Sequence, residues 1–294
     1  MAGKFTEQCT KCLSIGDYEG AVKAALKAIE LENCFDAYLC AGRAYYMKGE
    51  PNKALRYLER ARTLAQKQEE FVIVYNKIGV TYIDVGDFDK ALECLFKSLR
   101  IARELNDIKG ITTALDDIAG FFYCKGDLDK ALEYHKESLK YWPTDNVRQI
   151  GTTYNNIATI YSHKQDYTDA IAYYKKAIDY AEKGGDYLGV GAGRLNLGEA
   201  YREVKDYRNA KRELLEGLKM VQTVGDKYRE GHGHLCLAAL NRDLGQYKTA
   251  KDHCLKAIGI LEKIGVKQGL NAAISLLSKI EKKLQTSKKG KQRQ

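Results

Sequence analysis

The chain alternates short polar turns with longer segments in which apolar residues recur at helical spacing, and one turn motif repeats seven times. Each copy ends in an alanine, and consecutive alanines are 33 to 40 residues apart. A near-constant period of this length is typical of stacked supersecondary units, so the pattern predicts a repeat architecture. The seven alanines are Ala21, Ala54, Ala91, Ala131, Ala170, Ala210 and Ala250.

Three other positions keep a constant offset from each alanine. The residues twelve before it and seven after it are small, and the residue nine before it is aromatic in most copies. Small residues let two helices approach closely, and an aromatic ring fills the space beside that contact. Each unit is therefore predicted to be a helix, a tight turn and a second helix. The turn glycine, replaced by Gln165 and Lys205 in two copies, ends the first helix, and the aspartate that follows caps the second.

This combination of a small residue, a tyrosine and an alanine resembles the tetratricopeptide repeat family, whose units carry a proline near their end, as Pro143 does in the fourth copy. The resemblance implies an all-α fold, a right-handed α-solenoid of seven helical hairpins plus a C-terminal capping helix. The later copies have a period near 40 residues. This long period is similar to that of the repeats in Pins-type adaptors, kinesin light chain and bacterial Rap-type regulators. These relatives are peptide- or protein-binding solenoids. The tryptophan position of the family is degenerate here and holds Phe5, Tyr38, Tyr75, Leu115, Tyr154, Arg194 and His234.

The repeat pattern also predicts where the units begin and end. Residues 269–284 have apolar positions at helical spacing followed by lysines, as a terminal cap requires. The residues beyond them have no apolar side chain to anchor them. We predict a solenoid over 1–285 and a basic disordered tail over 286–294. Its units lie near 3–34, 35–68, 69–107, 108–145, 146–186, 187–226 and 227–266, and its capping helix covers 267–285.

Composition and charge exclude several classes of protein. The first twenty residues lack the apolar core of a signal peptide, and no apolar run is long enough to span a membrane. Seven basic residues and one acidic residue lie in 279–294, so these sixteen residues carry +6 of the net charge of +9. Eight cysteines without a secretion signal indicate reduced thiols and a cytoplasmic location.

Candidate chemistry is sparse. Cys9 and Cys12 form a Cys-x-x-Cys pair but coincide with core positions, so we expect them to pack as small apolar side chains. The same reasoning assigns His135 and Cys254 to the core. The His232-Gly-His234 segment has no further ligand at a suitable spacing, and no phosphate loop or nucleophile motif is present. We therefore expect no enzyme, no metal, no other cofactor and no small-molecule substrate.

The first helices of such hairpins line a concave groove, and their side chains between the core positions face a ligand. Several of these positions hold asparagines, whose amides pair with the backbone of an extended peptide, and basic residues that hold ligand carboxylates. Acidic residues share the groove, so a partner segment with both charges is expected. The predicted peptide-binding residues are Arg43, Asn76, Lys77, Asn155, Asn156, Asn196, Glu199, Arg202 and Arg242.

These observations predict a non-catalytic adaptor or scaffold that binds an extended or short helical segment of a partner protein. One alternative is an RNA- or ribonucleoprotein-associated solenoid that uses its basic C-terminal tail. Another is a regulator that senses a peptide and changes the pitch of the superhelix.

Overall fold

The computed structural model describes the backbone of residues 2–291 and the side chains of residues 2–285. Over this range the chain is α-helical without a strand, which confirms the predicted all-α class. Within the same range, no helix combines the length and the apolarity that crossing a membrane requires. The helices are α1 (Ala2–Ser14), α2 (Tyr18–Leu31), α3 (Phe35–Met47), α4 (Pro51–Leu64), α5 (Gln68–Val85), α6 (Phe88–Glu104), α7 (Ile108–Cys124), α8 (Leu128–Tyr141), α9 (Val147–His163), α10 (Tyr167–Lys183), α11 (Tyr187–Glu203), α12 (Tyr207–Val224), α13 (Lys227–Asp243), α14 (Tyr247–Lys263) and α15 (Lys267–Lys291).

The helices are grouped in two compact units, Met1–Trp142 and Pro143–Gln294. The first unit contains four consecutive helix pairs, α1 with α2 through α7 with α8. The second unit contains three further pairs, α9 with α10 through α13 with α14, and then α15. Each repeat of the sequence is thus a helical hairpin.

The alanine of each repeat lies where the two helices of a hairpin touch, and all seven alanines are completely buried. The small residue twelve positions earlier leaves room for a leucine of the second helix. A methyl group placed on Gly42 would lie 2.5 Å from Leu58, and one on Gly198 would lie 2.6 Å from Leu214. Because either contact would force the helices apart, these hairpins need glycine at this position.

The position four residues after the alanine is at the centre of each hairpin core. Leu95 and Leu214 are completely buried there. His135 is 3% exposed and Cys254 is 0% exposed at the same position, so their predicted packing role is confirmed. Cys9, at the small position of the first hairpin, is also completely buried.

The turn inside each hairpin has one residue in the left-handed conformation. Glycine fills this place in five hairpins, for example Gly126 with φ 78° and Gly245 with φ 72°. Gln165 and Lys205 fill it in the other two, with φ 61° and φ 62°. A side chain is strained at such angles, whereas glycine is not. The predicted helix end at these residues is confirmed.

Aspartate side chains cap most of the second helices. In five hairpins a carboxylate oxygen accepts a hydrogen bond from the backbone N–H three residues later, at 2.8 to 3.3 Å. The predicted cap is confirmed there, while Glu50 and Gln246 make no side-chain cap in the remaining two hairpins. The capping residues are Asp17, Asp87, Asp127, Asp166 and Asp206.

The degenerate tryptophan position contacts the residue three after the alanine, and in several hairpins the two vary together. In the fifth hairpin the contact is between Tyr154 and Tyr173, with ring centroids 6.0 Å apart. In the sixth it is an ion pair, with Arg194 Nη1 2.8 Å from Glu213 Oε2. In the seventh hairpin His234 Nδ1 lies 3.0 Å from His253 Nδ1. The tyrosine is therefore replaced together with its partner.

The C-terminal helix α15 covers the last hairpin, and its Ala273, Leu276 and Ile280 are buried. Its backbone continues as a helix to Lys291, past the predicted boundary at residue 285. The side chains of 286–291 and all of 292–294 lie outside the described residues, so the disordered tail over 286–294 stays a prediction.

We expect Gln165→Gly and Lys205→Gly each to stabilise the chain by about 0.5–1 kcal/mol, because glycine removes the cost of the left-handed conformation. The matched control is Gly245→Ala, whose new methyl group would meet no atom within 4 Å. It should lower stability by about 1 kcal/mol through backbone strain alone. Melting temperatures measure all three changes, and a lower melting temperature for the two glycine variants would contradict this account.

We expect the histidine pair of the seventh hairpin to make the fold sensitive to acid. Burial, with His253 and Lys256 nearby, lowers the pKa of His234 from 6.5 to about 4. Because the pKa of His234 is lower in the folded chain than in the unfolded one, the stability of the fold does not depend on this group above pH 6.5. Stability is lost as the pH falls from 6.5 toward 4, since the unfolded chain then takes up a proton that the folded chain does not. We expect His234→Tyr/His253→Tyr, the pair found in the fifth hairpin, to reduce the drop in melting temperature between about pH 7 and about pH 5.

The control for this experiment is His163→Gln, because His163 is exposed. It should keep the wild-type dependence of melting temperature on pH. An equal drop in the tyrosine variant and the wild type would exclude the buried pair as a source of the acid sensitivity.

Candidate functional site

A cavity of about 350 Å³ lies among helices α1, α3 and α5 of the first unit. In the first two hairpins its walls include the residues that lie eleven, eight and seven positions before the repeat alanine of the hairpin. In the third hairpin they include those that lie fourteen and eleven positions before it. Two of the predicted peptide-binding residues, Arg43 and Lys77, are among them. These wall residues are Thr10, Leu13, Ser14, Arg43, Tyr46, Met47, Lys77 and Val80.

Two cations face mainly apolar side chains in this cavity. Arg43 and Lys77 are half-buried, and no carboxylate is among the described residues that line the walls. Burial raises the pKa of Tyr46 to about 12, and a hydrogen bond to Asp84 adds to this effect, so the hydroxyl stays protonated and is held by that carboxylate. The cavity therefore favours an anionic group attached to an apolar one.

Asn76 lies behind this surface. It is only 3% exposed, and its Nδ2 donates to Asp117 Oδ2 at 2.7 Å. Burial raises the pKa of Asp117, while Lys77 and this hydrogen bond act to lower it. Asn76 Oδ1 is buried without a hydrogen-bond partner among the described residues. The amide thus supports a buried carboxyl group, and contact between Asn76 and a ligand stays a prediction.

The adjacent carboxylates Asp116 and Asp117 point to different partners. Asp116 Oδ1 lies 2.8 Å from Nδ1 of His135, whereas Asp117 accepts from Asn76. His135 is buried at a core position of its hairpin. The two carboxylates therefore do not combine as an acid and a base around one pocket.

A second cavity, of about 360 Å³, lies within the second unit. The same repeat offsets of the fifth and sixth hairpins form most of it, His232 of the seventh hairpin is added, and its chemistry is different. Hydroxyl, amide, carboxylate and imidazole groups replace the apolar wall and the two cations. These polar residues are Thr159, Ser162, His163, Asn196, Glu199, Glu203 and His232. This cavity therefore favours a polar or cationic group.

The asparagines of the second unit contact each other. Asn196 Nδ2 donates to Asn155 Oδ1 at 3.3 Å. Asn155 also lines a cavity of about 270 Å³ that contains Arg148 and Arg229. Asn156 is half-buried and lines neither of these cavities. The structure therefore brings Asn155 and Asn196 together, and their contact with a peptide stays a prediction.

Arg202 and Arg242 are both paired with Asp243. Arg202 Nη1 is 2.8 Å from Asp243 Oδ2, and Arg242 Nη2 is 2.6 Å from Asp243 Oδ1. Arg202 also contacts Glu203. Burial acts to raise the pKa of Asp243, but the two guanidinium groups lower it. Either arginine would have to exchange Asp243 for a ligand carboxylate.

Glu199, His232 and Cys236 come together at the second cavity, with one potential ligand atom from each within 4.8 Å of the others. His232 and Cys236 are four residues apart on α13, so they share a helix face. Burial and the charge of Glu199 raise the pKa of the Cys236 thiol. The sequence interpretation considered His232 with His234 only. The spacing from His232 to Cys236 was the signal in the sequence, but the contribution of Glu199 from another hairpin was not visible.

Comparison with known proteins identifies similar chains. Over 156 residues the chain is 27% identical to the TPR repeat-containing protein MJ1428 of Methanocaldococcus jannaschii. The aligned segment covers 52% of this chain and 26% of that protein. The chain spans about a quarter of the length of the curated relatives it matches, 26% in each case.

Two solved structures share the fold. A signal transduction ATPase with a tetratricopeptide repeat sensor, PH0952 from Pyrococcus horikoshii, has a TM-score of 0.71 at 19% identity, covering 92% of this chain and 44% of that one. A Rap protein complexed with competence and sporulation factor has a TM-score of 0.61 at 13% identity, covering 97% of this chain and 98% of that one. The predicted α-solenoid class is confirmed.

Models of the tetratricopeptide repeat match residues 13–69, 70–143 and 149–223. With more than half of its length matched, the chain belongs to the tetratricopeptide repeat family.

Proposed function

We propose that the chain is a non-catalytic adaptor that binds a peptide segment of a partner protein, in an extended or short helical conformation. The observation that carries this proposal is the cavity of the first unit, where Arg43 and Lys77 stand beside apolar side chains. Its volume of about 350 Å³ is within the range of small-ligand pockets and large enough for one or two amino-acid side chains.

The chemistry of the walls narrows the ligand. An arginine and a lysine together suit a carboxylate, while Leu13, Met47 and Val80 offer an apolar surface beside them. We infer a ligand segment in which a bulky apolar residue is adjacent to an acidic side chain or to the terminal carboxylate. Helices packed in hairpins supply this surface already formed, which reduces the entropy lost on binding.

The Rap protein with the same fold was crystallised with competence and sporulation factor. We propose that the hairpins of this chain likewise hold a ligand.

The alternative function that uses the basic tail depends on side chains outside the described residues and stays a prediction. The change of superhelix pitch and the cytoplasmic location also stay predictions.

We expect random peptides displayed on phage and selected on the full chain to be enriched in an apolar residue next to Asp or Glu. A synthetic copy of a selected peptide should bind Arg43→Ala/Lys77→Ala about 10- to 100-fold more weakly than wild type, because two charge-assisted contacts are lost. Fluorescence anisotropy of the labelled peptide measures both affinities.

The matched control is Lys53→Ala/Lys97→Ala, which removes the same charge from the second helices α4 and α6. Both lysines are outside the cavity and pair with glutamates of their own hairpins. This control should bind like wild type. Equal losses in the two double variants would indicate a general charge effect and would refute the cavity as the binding site.

A further inference from the structure

The second cavity contains three side chains with the chemistry of a metal centre. Glu199 on α11 offers a carboxylate, and His232 and Cys236 on α13 offer an imidazole and a thiol. Packing of the sixth hairpin on the seventh brings these groups to one place. Cys236 is 4% exposed, while Glu199 and His232 are half-buried beside the cavity, so an ion can reach them from it.

The donor atoms are close enough together for one ion to reach all three. With Zn–S near 2.3 Å and Zn–N near 2.05 Å, a tetrahedral angle places the two ligands about 3.6 Å apart. Cys236 Sγ lies 3.6 Å from Nε2 and 3.9 Å from Nδ1 of His232, so the imidazole ring must turn before one nitrogen can direct its lone pair at an ion shared with the thiol. The Glu199 oxygen lies within 4.8 Å of both donors and must also move closer to take the third position.

The mixture of donors selects the metal. Thiolate, imidazole and carboxylate together suit a borderline cation such as Zn²⁺, whereas Mg²⁺ and Ca²⁺ prefer oxygen ligands only. We propose that Glu199, His232 and Cys236 bind one Zn²⁺ ion, with the fourth coordination position open to the cavity. This proposal is independent of peptide binding in the first unit.

The surroundings favour a cation. Glu203 lines the same cavity, and the nearby Arg202 is held by Glu203 and Asp243. These carboxylates and Glu199 together compensate the guanidinium group, and Glu199 is the one of the three that also reaches the imidazole and the thiol. Hydroxyl groups of Thr159 and Ser162 line the cavity and can hydrogen-bond a water molecule or a ligand group at the open position.

Cobalt(II) replaces zinc in tetrahedral sites and reports a bound thiolate by a charge-transfer absorption. We expect the reduced, chelator-treated full chain to bind one Co²⁺ with this absorption, and Zn²⁺ to displace it. Cys236→Ser should abolish the absorption and weaken zinc binding more than about 100-fold, since the loss even of an outer-shell partner costs roughly 10- to 100-fold.

His232→Gln guards against a folding artefact, because it leaves the buried cysteine in place. It should weaken zinc binding to a similar extent while the melting temperature without metal stays near that of wild type. Cys12→Ser is the control for the other cysteine cluster, Cys9, Cys12 and Cys40 in the first unit, and should leave binding unchanged.

Three results would overturn the proposal. The first is no thiolate absorption in the wild-type chain, which would leave Cys236 and His232 as a hydrogen-bonded pair without a metal. The second is an absorption that persists in Cys236→Ser. The third is an absorption that disappears in Cys12→Ser, which would assign the metal to the first unit.

Discussion

The structure depends on the close contact between the two helices of each hairpin, at the repeat alanine and the small residue opposite. This contact leaves no space for a larger side chain, because a leucine of the second helix already fills the place where a methyl group on Gly42 would stand. It therefore fixes the rotation of one helix against the other. Once that rotation is fixed, the residues eleven, eight and seven before the alanine share a side of the hairpin, and they line a cavity in the first, second and fifth hairpins. Two cavities with the same repeat offsets follow from it.

Away from this contact, the hairpins tolerate exchange of residues when both partners change. The ring pair of Tyr154 and Tyr173 occupies the same place as the ion pair of Arg194 and Glu213 in the next hairpin. A guanidinium group there would be costly without a carboxylate, since a half-buried charge needs a partner. The family's tryptophan position is therefore better described as a pair of positions, in which packing or charge can supply the contact.

The groove positions are free of that constraint, and their chemistry differs between the two units. The cavity of the first unit combines two cations with an apolar wall, and that of the second combines carboxylates, hydroxyl groups and imidazoles. Several polar residues are also held by neighbours within the protein, as Asp243 holds both Arg202 and Arg242. Repetition of the backbone thus provides equivalent surfaces, and the side chains on them determine what each surface can bind.

The sequence by itself determined the class of fold, the hairpins, their turns and the buried positions, because these follow from local spacing that repeats seven times. It also placed Arg43 and Lys77 on the face where the structure has a cavity. Only the tertiary structure decided which polar groups are already paired, since Asn76 meets Asp117 and Arg202 meets Asp243 across 41 residues of chain. The grouping of Glu199 with His232 and Cys236 has the same origin. Contacts between hairpins depend on the rotamers and packing of residues distant in sequence, and a repeat pattern carries no information about either.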